Sequence, residues 1–289
     1  MSYKSILVPL NGTDLDSDAL ACAYQVALIS NGHIKVLHVQ ADSKEAVPLL
    51  GEGMSGAMIE EMIDLAERDA EVRFNLAHHA YDKFIAETGI AELEKPDGEF
   101  KPSIDWLNKI GREDEIVSRG GRISDLTVIA HTKSNNERAS LMTLHAAIFE
   151  TGKPVLIVPP GFNSKVGKRV LIAWNGTSES SSAISAAMPF LRYAEAISIL
   201  TVETKNAASG ISAEELSKSL AWHGVVSTIK KVSTSTESVG AKIISECTTM
   251  NADLLVFGAY SHSRLIQLIL GGVTRHLISE SKIPILTAH

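Results

Sequence analysis

The chain has 289 residues, 45% hydrophobic and 21% charged, with 20 Gly and 9 Pro; these values exclude a disordered, collagenous or low-complexity protein. Lys and Arg number 27 against 34 Asp and Glu, a net charge of -7. That balance leaves no broadly basic face and excludes non-specific binding to DNA or RNA, while sparing a small basic pocket for one nucleotide. At roughly 150 residues per domain, the length predicts two domains.

The first residues, Met1 to Pro9, lack the apolar core and cleavage site of a secretory signal. No apolar run approaches the ~18 residues of a membrane span. A cytoplasmic protein with no membrane partner is therefore expected. Cys22 and Cys247 are too few for a disulfide framework and read as buried small hydrophobes in helical stretches.

In chain order, an apolar run ending in Asn-Gly-Thr at residues 6–13 is followed by a small-residue helix from Ser17 and a second apolar run, His33 to Val39. Residues 54–90 read as one long helix or a helical pair, with Met54, Met58, Met62 and Leu65 at helical spacing and Glu60, Glu61 and Asp64 on the other face. This stripe reads as core or as a partner contact, which makes a homodimer through the helix an expectation. Next come Asp125 to Ala130, a short strand after Asp-Leu, and a Pro-headed strand, Pro154 to Val158.

The same landmarks then recur in order. Residues 170–177 again end in Asn-Gly-Thr, a helix follows from Ser181, and Ala196 to Val202 is the second run. Asp253 to Gly258 and Pro284 to Leu286 close the copy. Strands are predicted near 168–174, 196–203, 225–232, 253–259 and 283–288, and helices near 178–193, 211–222, 237–249 and 271–280. Strands that are apolar throughout, alternating with helices, indicate parallel sheets covered on both faces. The expected domains are 1–160 and 168–289, with Gly161 to Gly167 as linker. The two Pro-headed strands are natural pairing edges within one chain.

Gly51 to Gly56 fits G-x-G-x-x-G but lies well past its strand, not in the first turn where a dinucleotide fingerprint belongs. Gly161 to Lys168 loosely resembles a P-loop, yet it precedes a strand instead of following one. His78 and His79 point about 100° apart on a helix and cannot chelate together. His78 with Asp82 supplies only two ligands, short of a closed zinc site. No protein metal site is predicted.

The stretch with chemical content is Phe257-Gly258-Ala259-Tyr260-Ser261-His262-Ser263-Arg264, followed by Gly271-Gly272-Val273-Thr274. It leaves a strand at a carboxyl edge and opens the last helix, where bare amides and the helix dipole can hold phosphate oxygens. The alternative is that Gly258 and Gly271 only permit tight turns. No Ser–His–acid constellation or metal-holding carboxylate cluster accompanies it, so a dedicated enzyme is not expected.

The spacing Gly258-x-x-Ser261, nine residues, then Gly271-Gly272-Val273-Thr274 resembles the G-x2-G-x9-G-[ST] nucleotide loop of the universal stress protein family. The Asn-Gly-Thr turns resemble its first-strand Asp-Gly-Ser motif. The resemblance covers the whole chain as two tandem domains and implies an α/β fold: two five-stranded parallel-sheet sandwiches, like the adenine-nucleotide α-hydrolases, about a pseudo-twofold axis. It implies ATP or AMP as ligand, with no metal beyond nucleotide-associated Mg. Residue by residue, Asn175 matches the acid beside the nucleotide and Val202 the adenine-side position. Gly258, Gly271, Val273 and Thr274 match positions that contact ribose and phosphates. Ser261 and Gly272 stand where the pattern has Gly and Ser or Thr, with Thr274 as a compensating hydroxyl.

The first copy follows Ala130 with His131-Thr132-Lys133-Ser134-Asn135-Asn136 and has no glycine before Gly152. Without glycines its backbone cannot approach a triphosphate closely, so this domain is expected to be a structural partner. The expected function is regulatory binding of an adenine nucleotide by the second domain. The alternatives are a stress scaffold or small-ligand-binding protein with a lost ATP site, and an adenine-nucleotide hydrolase.

Overall fold

The computed structural model describes residues 2–42, 55–99, 101–131, 138–162, 165–203, 210–234, 237–259 and 272–289. Eight helices and eleven strands are found among them. The N-terminal half runs β1 (Ser5–Leu10), α1 (Asp16–Ser30), β2 (His33–Gln40), α2 (Gly56–Thr88), β3 (Ala91–Glu92), β4 (Ser103–Ile110), α3 (Glu113–Arg122), β5 (Leu126–Ala130), α4 (Arg138–Glu150) and β6 (Val155–Val158). The C-terminal half runs β7 (Arg169–Ala173), α5 (Ser178–Tyr193), β8 (Ala196–Glu203), α6 (Ala213–Ala221), β9 (Thr228–Ser233), α7 (Val239–Thr249), β10 (Leu254–Gly258), α8 (Gly272–Glu280) and β11 (Ile285–Ala288).

Strand order is β3-β4-β2-β1-β5-β6-β11-β10-β7-β8-β9 in one continuous sheet. Within each half all pairings are parallel; β6 and β11 pair antiparallel, Leu156 opposite Leu286. The two Pro-headed strands thus join the halves, each covering the edge the other would expose. The C-terminal half has the expected five strands. The N-terminal half adds a sixth, the two-residue β3 beside β4.

Both sheet faces are buried, which explains the unbroken apolar strands. Ile6, Val8, Ile34, Val170, Ile172 and Val256 face one core with Ala23, Val26 and Phe190 of the helices. Leu7, Leu37, Leu171, Leu255 and Ile285 face the other, with Val117, Leu144, Ile243 and Leu277. The recurrent Asp-Leu has a structural cause. Asp125 Oδ2 accepts from the amides of Lys4 and Ser5, at 2.8 and 3.0 Å. Asp253 accepts from those of Gly167, Lys168 and Arg169, at 3.0–3.1 Å. Each aspartate closes the amino edge of its half's central strand.

The helices start where their side chains satisfy first-turn amides. Ser55 caps α2, Thr177 caps α5, Ser238 caps α7, and Ser212 with Glu215 forms a capping box on α6. Gly89, left-handed at φ 63°, ends α2. The segment expected as a linker is packed, not loose: Phe162 and Val166 are buried and the Gly161 amide donates to Asp18 at 2.7 Å. Tyr3 reinforces the junction, its hydroxyl donating to the Ala186 carbonyl and its ring 5.6 Å from Phe190.

Candidate functional site

Open parallel α/β sheets bind ligands outside the carboxyl ends of their strands. Because β6 and β11 are antiparallel, the two halves present these edges at opposite ends of the joined sheet.

In the C-terminal half, β7 ends in a turn, Trp174-Asn175-Gly176-Thr177, that leads into α5. Trp174 is buried and its indole Nε1–H donates to the Ile211 carbonyl at 2.8 Å. This draws Gly210-Ile211 over the turn: a Cβ on Gly176, at φ +76°, would lie 3.0 Å from the Ile211 nitrogen. Asn175 is exposed, and its Oδ1 accepts from the amide and hydroxyl of Thr177 at 3.2 and 3.0 Å. The Ser180 hydroxyl donates to the Thr177 carbonyl at 2.8 Å. Among the described residues, nothing accepts from the amides of Asn175 and Gly176.

Gly258 ends β10 beside this turn. A Cβ there would fall 2.2 Å from the Ser180 nitrogen and 2.3 Å from the Glu179 carbonyl carbon. Its φ is not positive, so the turn explanation is corrected: Gly258 is glycine because the first turn of α5 rests on the strand end. This brings the N-terminus of α5 to the carboxyl edge between β7 and β10. Val202, half-buried at the end of β8, lies opposite Val232 on the face packed by α7 and α8.

At the start of α8, Gly272 and Val273 are exposed, and a Cβ on Gly272 would meet nothing within 4 Å. Thr274, the next residue, is buried. Ser261, Ser263, Arg264 and Gly271 lie outside the described residues, as do Gly51 to Met54 and residues 132–136.

The N-terminal half builds the equivalent edge differently. Asp16, buried, accepts from the Asn11 amide at 3.2 Å, the Gly12 amide at 2.9 Å and the Thr13 hydroxyl at 3.2 Å. Burial raises its carboxyl above the ordinary range, opposed by those same donors. The Asn11 side chain bonds the buried carboxyl of Glu113, which burial also raises. Above them passes α2: a Cβ on Gly12 would lie 2.4 Å from the Arg73 carbonyl oxygen. Phe74, His78, Tyr81 and Trp106 pack beside it, with Phe74 5.7 Å from the ring of His38 and His78 4.9 Å from that of Trp106. His38 is buried and fixed, Nδ1–H donating to the Leu10 carbonyl at 2.9 Å.

Neither Asp16 nor Arg73 is suggested by motif matching. The repeat itself carries the signal for the first: Asp16 and Ser180 stand at the same step after Asn-Gly-Thr. His78 Nδ1 meets Asp82 at 3.0 Å while His79 is exposed. Among the described residues, no three His, Cys, Asp or Glu converge on a metal position. Both cysteines are buried, and burial pushes the Cys247 thiol up to about 12. No helix among the described residues is long and apolar enough to cross a membrane.

A twinned, mainly parallel α/β sheet with a glycine-bearing turn at each carboxyl edge defines the class. Residues 167–289 match the sequence model of the Universal stress protein family. A universal stress protein of Synechocystis is 24% identical over 323 aligned residues, covering 98% of this chain and 99% of that one. The crystal structure of a universal stress protein from Archaeoglobus fulgidus superposes with a TM-score of 0.64 at 13% identity, covering 99% of this chain and 97% of its own. A Pseudomonas aeruginosa structure assigned to the same family gives 0.57 at 15% identity, covering 99% and 93%. Residues 167–289 thus carry a universal stress protein domain, and the chain as a whole is similar in sequence to a universal stress protein and shares the fold of others.

Proposed function

We propose that the C-terminal half binds an adenine nucleotide, ATP or AMP, at the edge between β7 and β10, in a regulatory and not a catalytic role. One observation carries this reading: the Asn175 and Gly176 amides meet no acceptor among the described residues, whereas their N-terminal counterparts are held by Asp16. Unpaired main-chain donors at a strand end, with the N-terminus of α5 beside them, suit phosphate or ribose oxygens. The exposed start of α8 gives the ligand room at Gly272 and Val273.

The site is built for holding and not for turnover. Asn175 stands where the family pattern has an acid, which removes the strongest local acceptor for a ribose hydroxyl or a nucleotide-associated Mg. Isothermal titration calorimetry with ATP and with AMP tests the reading, together with a phosphate-release assay. Saturable heat with a sub-millimolar dissociation constant and no enzyme-dependent phosphate is expected. No heat at millimolar nucleotide would overturn the binding, and phosphate release above the buffer rate would overturn the regulatory role.

A further inference from the structure

Helix α2 carries two apolar stripes, and the sheet uses only one. Ala77, Tyr81 and Phe84 are buried in the core and Phe74 meets His38 and Trp106, so the helix is anchored through its C-terminal part. Met58, Leu65, Val72 and Leu76 remain 52%, 68%, 56% and 53% exposed. With Met62 and Asp69 they form the series 58, 62, 65, 69, 72, 76, alternating steps of four and three. On a helix that spacing is one narrow seam with a period near 3.5 residues. The anchored stripe of Phe74, Ala77, Tyr81 and Phe84 lies roughly 115° away around the axis at 100° per residue. A helix that only covers a core needs one broad stripe; a second seam of heptad period is what another helix packs against.

The geometry points to a second copy of this chain as the occupant, its α2 lying antiparallel to this one. Charge selects both partner and direction. A parallel pair would set Arg68 beside the partner's Arg73 and bring Asp69, which pairs with its own Arg73 at 2.9 Å, against the partner's Asp69 inside the seam. An antiparallel pair with Met62 opposite the partner's Leu65 sets Glu61 beside the partner's Arg68. Twofold symmetry makes that contact twice. Asp69 then meets the partner's Met58 at the outer end of the overlap, where water reaches it. The anchored segments from Arg73 onward fall at opposite ends, so the two bodies do not collide. The overlap, residues 56–72 of each helix with the Ser55 cap, is about 26 Å long. That is short for a standard interface of ~800 Å² per partner, so the dimer is weak and depends on concentration.

Sedimentation velocity of the full chain, from micromolar to roughly millimolar, tests this. The natural sequence is expected to pass from monomer to dimer. Leu65→Glu and Arg68→Glu each weaken association at least tenfold, and Glu61→Arg combined with Arg68→Glu returns it to within about threefold of the natural chain. Thermal unfolding of each variant, expected to match the natural chain because these positions are exposed, confirms that it folds. A monomer throughout the range would overturn the proposal, as would association untouched by Leu65→Glu. If Arg68→Glu weakens the dimer and the double swap does not restore it, the antiparallel register is wrong.

Discussion

In the first turn of the helix after its first strand the N-terminal half has Asp16 where the C-terminal half has Ser180. The Asp16 carboxylate reaches back to the amides of Asn11 and Gly12. Ser180 instead turns its hydroxyl to the Thr177 carbonyl. A carboxylate in contact with two main-chain amides occupies them much as a bound anion would. The first half carries its own anion and is roofed by Arg73 of α2; the second leaves the amides of the same turn without a described partner. Duplication preserved the sheet, while a single side chain decides whether the edge is self-satisfied.

The largest effect is expected from the residue that seats α5 on the C-terminal edge. Gly258→Ala would press a methyl into the Glu179–Ser180 backbone, closer than 2.5 Å on the present geometry. Overpacking against main chain that cannot rotate away costs about 3 kcal/mol, or roughly 5 °C in melting temperature for a chain of this length. The counterpart exchange in the other half, Ala130→Gly, removes a tolerated methyl and should cost less than ~1 kcal/mol. Equal melting temperatures for the two variants would show that the halves do not differ at this contact.

Next in size is an exchange that makes the second edge resemble the first. Ser180→Asp introduces the carboxylate that Asp16 supplies, in competition with any anionic ligand for the Asn175 and Gly176 amides. Nucleotide affinity is expected to fall at least tenfold, about 1.4 kcal/mol. Ser180→Asn, alike in size but uncharged, should stay within about threefold of the natural chain. If both variants bind as the natural chain does, the free amides are not the anion site.

Much of this architecture was legible because the landmarks are local. The apolar runs of the C-terminal half are bounded by Asp253, by glycines and by capping serines, and its five strands fall where the alternation with helices puts them. The strand expected from residue 225 begins at Thr228, because Val225 packs into the core after the Gly224 turn before pairing starts. The stripe of 54–90 gave a helix, and it is one helix, Gly56–Thr88. What periodicity could not supply is tertiary. Arg73 above Gly12, Gly210-Ile211 above Gly176 and α5 against Gly258 are approaches between segments distant in sequence. Each leaves only a glycine as its trace, and a glycine does not say whether it serves a turn, a ligand or a neighbouring backbone. The two-residue β3 carries no periodicity at all.

The smallest effect, and the most specific, concerns the protonation of Asp16. Burial raises its folded-state pKa above the unfolded value, with the Asn11 and Gly12 amides pulling the other way. A raised carboxyl binds its proton more tightly in the folded chain, so its contribution is fully present below the unfolded pKa and is lost as pH rises through the folded one. Asp16→Asn removes that titration without changing size. The stability of the natural chain minus that of Asp16→Asn should therefore fall as pH rises from about 4, and then level off once Asp16 is ionised. Ser180→Asp compared with Ser180→Asn gives the matching profile for the other half. If the first pair shows a stability difference independent of pH, or one that grows as pH rises, the amides outweigh desolvation at Asp16. The N-terminal turn would then be an optimised anion site in its own right, filled from within, and the contrast between the halves would lie in occupancy and not in strain.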